Sequence, residues 1–227
     1  MCGRWLAMKR GCLIALAVPV VAVAALIASY PLLYPTYVVR YRLTVNTVVG
    51  DQPHSGSSVV EIRVKRQPQW ISEMPPWQFN TSGEATFVDL GEGRNLVALL
   101  NPGPSEGKDC VTILFRAFQV PFLVERAADL KNLNGERRLQ PDDWPPFVTF
   151  QNVNDPLSVK PVKPSAMRDN YGVDARIESV TLAIAQDAVT RGLDQKLPWL
   201  ASPLSDSQLR ALSKINFARV EFIGNGP

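Results

Sequence analysis

Histidine is all but missing from this chain, with His54 standing alone among 227 residues. Cysteine is scarce as well: Cys2 and Cys12 lie in the first dozen residues, which leaves Cys110 by itself beyond them. One histidine and scattered thiols exclude a zinc centre of the usual ligand spacing. A lone Cys110 also excludes a disulfide within the main body of the chain. It opens the apolar run Val111-Thr112-Ile113-Leu114-Phe115 and reads as a small buried residue in a strand. Gly-x-Gly-x-x-Gly and P-loop patterns are absent, so nucleotide binding has no support and no cofactor is expected. Internal repeats and low-complexity tracts are absent too.

The body of the chain also lacks a charge excess. The formal net charge is +3, but Arg4, Lys9 and Arg10 carry it all; from position 36 onward twenty-one cations meet twenty-one acids. Basic character belongs to the N-terminal leader, and the electrostatic footprint of a nucleic-acid binder is missing. Proline is what the chain has in plenty, nineteen against fourteen glycines. Proline fixes φ and removes a donor, which favours short elements and rigid turns over long helices.

Cys12 to Ala28 is seventeen residues without a charge, broken by Pro19, and apolar character resumes at Leu32-Leu33. A helix from Leu13 to Leu33 would measure about 30 Å at 1.5 Å per residue, the thickness of a hydrocarbon core. Tyr30 and Tyr34 fall where interfacial aromatics sit. The competing reading is a cleaved signal peptide, but Leu26-Ile27-Ala28 places bulky residues where a cleavage site wants small ones. The expected layout is a cytoplasmic basic segment 1–10, a transmembrane anchor 11–34 and a periplasmic β-rich domain 35–227. Three cations precede the apolar run and two, Arg40 and Arg42, follow it, which orients the chain N-in at a bacterial inner membrane.

Past the anchor, period-two alternation predominates. Tyr41, Leu43 and Val45 alternate with Arg40, Arg42 and Thr44; after the turn-rich stretch 50–56, Ser58, Val60, Ile62 and Val64 alternate with Glu61, Arg63 and Lys65. Together they predict an antiparallel hairpin. Pro68 to Phe79 reads as an irregular loop carrying Trp70 and Trp77. A second hairpin is predicted from Glu84–Leu90 and Asn95–Leu100 about Gly91-Glu92-Gly93, the latter strand apolar enough to be central. Further strands are predicted at Val111–Phe118, Phe147–Phe150, Arg176–Ala185 and Phe217–Ile223, and short helices at Ala127–Leu133, Ser165–Tyr171 and after Ser205, whose spacing to Gln208 is that of a capping box. The fold class is mainly β with minor helices (α+β), an antiparallel sheet or sandwich behind one N-terminal transmembrane helix.

Candidates for chemistry are thin. His54 beside Ser55, Ser57 and Ser58 lacks a nucleophile elbow and reads as turn composition. Asp142-Asp143 and Asn152–Asp155 could supply oxygen ligands to calcium, though loop acids near proline are ordinarily turn formers and there is no EF-hand pattern. Asp89, Glu125 and Glu178 are nominal glycosidase carboxylates that sequence does not pair. Four tryptophans, Trp70, Trp77, Trp144 and Trp199, lie within two residues of a proline. Trp70 and Trp77 are the candidate ligand surface, for a glycan or a proline-rich peptide, against the plainer reading of aromatics that pin loops to the sheet.

Three stretches carry a resemblance: Tyr41-Arg42-Leu43-Thr44-Val45 followed by Ser55-Gly56-Ser57-Ser58-Val59-Val60-Glu61; Val148-Thr149-Phe150 with Asn154-Asp155-Pro156 and Ser158-Val159; and Val189-Thr190-Arg191-Gly192 before Pro198-Trp199-Leu200. Together they resemble a family of uncharacterised, single-pass membrane proteins of alphaproteobacteria. That resemblance implies an envelope setting and brings no site residue with it. The expected function is a membrane-anchored periplasmic domain that binds or scaffolds an envelope protein or glycan. The alternatives are a hydrolase of cell-wall or polysaccharide material, and an accessory subunit of an inner-membrane complex. In the last, Pro19, Ala22, Ala25 and Ala28 would shape a helix contact.

Overall fold

The computed structural model describes residues 19–69, 73, 76–100, 108–120, 124–214 and 222–224, with backbone alone at 124–126 and 213–214. The chain divides into two units, Met1–Thr36 with Lys65–Gln78, and Tyr37–Val64 with Phe79–Pro227.

In the smaller unit residues 19–33 are helical (α1), and every one of them except Ser29 is exposed. Among the described residues no helix is long and apolar enough to cross a membrane. Residues 11–18 of the expected span lie outside the described residues. At the far end of α1, Tyr30 and Tyr34 pack ring against ring at 4.9 Å, and the Lys65 ammonium sits 5.9 Å over the Tyr30 ring.

The larger unit is β-rich, with two antiparallel sheets and a few helices. In the first sheet β1 (Thr36–Val49) and β2 (Gln52–Arg66) form the expected hairpin. Its turn is shorter than composition suggested. Gly50 (φ +56°) and Asp51 (φ +63°) make a two-residue loop with both residues left-handed, the geometry whose twist matches paired strands. The turn-like residues Gln52–Gly56 therefore belong to the strand. β3 (Trp77–Ser82) begins inside the stretch expected to be loop. With β9 (Arg176–Ile184) and β6 (Glu136–Arg138) the order is β3-β2-β1-β9-β6. β1 pairs with β9 from Tyr41↔Ile184 to Val48↔Arg176, with a bulge at Asn46/Thr47.

The second sheet comprises β4 (Thr86–Asp89), β5 (Asn95–Ala98), β7 (Phe147–Phe150) and β8 (Val159–Val162), in order β4-β5-β7-β8. β5 is fully buried and central, as its unbroken apolar run requires. β8 was hidden by its proline; as an edge strand it accommodates Pro161 opposite Val148. The sheets meet where β2 approaches β4: Ser58 and Thr86 share a buried hydroxyl–hydroxyl bond of 2.6 Å. A Cβ on Gly56 would stand 2.2 Å from the Phe87 carbonyl oxygen.

One expected strand is a helix. Cys110–Ala117 (α2) has a strand-like composition, but Asp109 caps it, accepting hydrogen bonds from the backbone N–H groups of Val111 (3.0 Å) and Thr112 (2.9 Å). Such a cap satisfies donors that a helix start otherwise leaves open and tips an ambiguous apolar run towards helix. The helix expected near Ala127 is a 3-10 helix, Val124–Asn132. Met167–Tyr171 (α3) ends at Gly172, and Asp206–Lys214 (α4) follows the Ser205–Gln208 capping box, its two bonds 3.0 and 3.3 Å long. The predicted strand Phe217–Ile223 falls on residues 215–221, outside the described residues, apart from a bridge between Glu84 and Ile223. Beneath the second sheet Phe150, Trp199 and Phe222 form an aromatic cluster with centroids 5.4–5.9 Å apart.

Candidate functional site

The alternation of β1 and β2 sends one set of side chains into the core and the other outward. Outward on β1 stand Arg40, Arg42, Thr44 and Asn46, and on β2 Ser55, Ser57, Glu61 and Arg63. Two clusters of this face are tied together side by side. Asn46 donates to Ser179 (3.0 Å) and accepts from Ser55 (2.8 Å), while Arg42 reaches Asp187 at 2.9 Å.

The strongest feature lies nearer the start of β1. Glu61 is 2% exposed, and its two oxygens accept from two guanidiniums, Oε2 from Arg40 Nε at 2.7 Å and Oε1 from Arg63 Nε at 2.6 Å. Burial alone would raise the Glu61 pKa; the two arginines together outweigh it and hold the carboxyl below its ordinary value. Each arginine engages Glu61 through Nε, so among the described residues the terminal Nη atoms of Arg40 and Arg63 carry no hydrogen bond. The carboxylate thus fixes the two guanidinium planes and leaves a local charge of +1.

Arg40 also borders a groove of about 300 Å³. Val38 and Arg40 of β1 form one wall, Ile184 and Gln186 at the end of β9 another, and Leu130 and Lys131 of the 3-10 helix a third. Ala185 N–H donates to the Arg40 carbonyl at 2.9 Å, which extends the β1–β9 pairing to the groove's floor. The Lys131 ammonium lies 5.1 Å over the Tyr37 ring, a cation–π contact that orients it. Among the described residues, two cations and no acid line the groove.

The residues singled out from sequence fall elsewhere. Trp77 is half-buried at the start of β3, and Trp70 lies outside the described residues. Trp144 is buried and donates to the Leu139 carbonyl (3.1 Å); Trp199 is core, its Nε1 without a partner among the described residues. His54 and Ser58 sit four residues apart on one strand, about 13 Å along it. The neighbouring serines are engaged by Asn46, Arg42 and Thr86, so no nucleophile–base pair is assembled there. Cys110 is buried as expected, but at the head of a helix. Burial pushes its thiol pKa up to about 12, so it is protonated and unreactive at neutral pH. Asp155 and Asn152 cap their own loop, on Leu157 and Asn154, and Asp143 accepts from Arg116 at 3.5 Å. Asp89 and Glu178 belong to different sheets, and the Glu125 side chain lies outside what the structure describes.

Arg40, Glu61 and Arg63 were missed as a set, although sequence held a signal. Arg40 lies ten residues before Gly50 and Glu61 ten after Asp51, so a two-residue turn there puts them directly opposite. No family model, curated protein or solved structure matches this chain.

Proposed function

We propose that this chain is a membrane-tethered domain of the bacterial envelope, N-in at the inner membrane, which binds or scaffolds another envelope component from the periplasmic side. The observation that carries the tether is the surface of α1. Its large apolar side chains stand open, Leu26 at 70%, Ile27 at 68% and Leu32 at 84% exposure. Apolar surface of that extent has a favourable home in hydrocarbon and none in water. The paired tyrosines and Lys65 at its end suit a membrane–water interface, and the charge-free run of seventeen residues supplies the length. Binding is favoured over turnover because the groove beside Arg40 is lined, among the described residues, by two cations, Gln186 and apolar groups without a nucleophile–base pair.

Proteolysis of spheroplasts carrying a C-terminal tag tests the topology. Loss of the tag with a membrane-retained N-terminal fragment is expected. A tag protected until the membrane is broken would put the domain in the cytoplasm and overturn the reading.

A further inference from the structure

We propose that the groove beside Arg40 binds the anionic head of an amphiphile: a phosphate group held by Arg40 and Lys131, with the adjoining apolar body against Val38, Leu133 and Ile184. This names a ligand class for the binding role above, yet it stands on the larger unit alone and does not depend on which side of a membrane that unit faces.

Three observations combine. First, Arg40 is preorganised. Glu61 holds its Nε, so the guanidinium is fixed in plane while its outer nitrogens keep their hydrogen-bonding capacity among the described residues. An arginine held this way presents a rigid fork to phosphate oxygens. Second, the charge is local. Arg40 and Lys131 line the groove, Arg63 flanks Glu61, and two acids of the same face are already engaged, Glu61 by two arginines and Asp187 by Arg42. A neutral body with a concentrated cationic pocket draws an anion to one place. Third, beside the polar Gln186 the groove carries an apolar side of Val38, Leu133 and Ile184, and Val38 keeps 46% of its surface open although it is a valine in a strand. A volume of about 300 Å³ lies at the small end of ligand sites, enough for a head group and the first part of a chain.

The phosphate amphiphile has two sources, a bilayer lipid or a free molecule of the periplasm. The test uses the full chain in a non-ionic detergent, with dihexanoyl phosphatidic acid as probe and calorimetric titration as readout. Saturable binding is expected, weakened at least about tenfold by Arg40→Gln and by Lys131→Gln. Arg168→Gln, the same charge loss on an exposed turn of α3, leaves it unchanged. Lys131 makes no ion pair among the described residues, so Lys131→Gln keeps the test open should Arg40→Gln impair folding. Absence of binding by the folded chain, equal weakening by all three variants, or inorganic phosphate bound as tightly as the amphiphile would each overturn the proposal. With the full chain moved into lipid nanodiscs, loss of probe binding in phosphatidylglycerol discs and not in phosphatidylcholine discs assigns the source to a bilayer; equal binding in both assigns it to a free amphiphile.

Discussion

Glu61 is a carboxylate that almost no solvent touches, gripped by two arginines that solvent partly reaches, at 38% and 39% exposure. Removing its charge would leave two guanidiniums facing each other across a strand pair with no counter-ion between them. Glu61→Gln is therefore expected to destabilise the chain by about 1–3 kcal/mol near neutral pH, less than a fully buried pair because both arginines are partly hydrated. The pH dependence has a definite sign. The folded-state pKa of Glu61 lies below its ordinary 4.5, so its contribution is complete above that value and drains away as pH falls through the lower, folded one. Denaturation midpoints should show the wild type and Glu61→Gln furthest apart at pH 6–7 and converging below pH 4.5. A gap constant with pH would mean that packing, not charge, carries the effect. This triad was legible in the sequence only to a reader who placed the turn at Gly50-Asp51 instead of across seven polar residues. Composition blurred the turn, because Ser55, Gly56 and Ser57 resemble loop residues and yet serve in the strand, Gly56 for want of a side chain.

At the scale of elements, alternation named β1, β2 and β9 correctly because each has a buried and an open face, and an unbroken apolar run named β5, which is buried on both faces. It failed at α2, where Val111-Thr112-Ile113-Leu114-Phe115 is apolar at every second position and every third. Five of the eight residues of α2 are buried, and its polar face is narrow, Thr112 and Arg116 four residues apart, so the helical period was easily read as a strand. The deciding signal was Asp109, one residue outside the run. Asp109→Ala is expected to cost about 1 kcal/mol, read as a lower denaturant midpoint at unchanged slope. No change in midpoint would show that burial alone holds α2. β6 and β8 were missed because three exposed residues and a proline-bearing edge carry no periodic pattern. The groove was illegible for a related reason. Its walls come from β1, β9 and the 3-10 helix, brought together by pairing of sequence-distant segments.

For the molecule as a whole, the two sheets of the larger unit are locked where β2 crosses β4. Gly56 permits a backbone approach that any Cβ would block, and Ser58 with Thr86 fastens the crossing two residues on. Gly56→Ala should thus cost more than its modest size suggests, about 1–3 kcal/mol, since either the strand or the Phe87 peptide must shift. Thermal unfolding of the full chain would register this as a drop of several degrees. An unchanged midpoint would show that the crossing is pliable.

The place of β1 between β2 and β9 also sets a timetable for synthesis. β2 follows β1 after two residues, but the residue that bonds Asn46 from the other side, Ser179, lies 133 positions further on. At about 5–20 residues per second, a ribosome would deliver that second neighbour roughly 7–27 s after Asn46 itself. During this interval one flank of β1 has unpaired backbone groups, a template for any other extended chain nearby. Arg40 and Arg42 project from that strand throughout the wait. The same cations that shape the finished surface would also discourage nascent chains from adding to one another edge to edge.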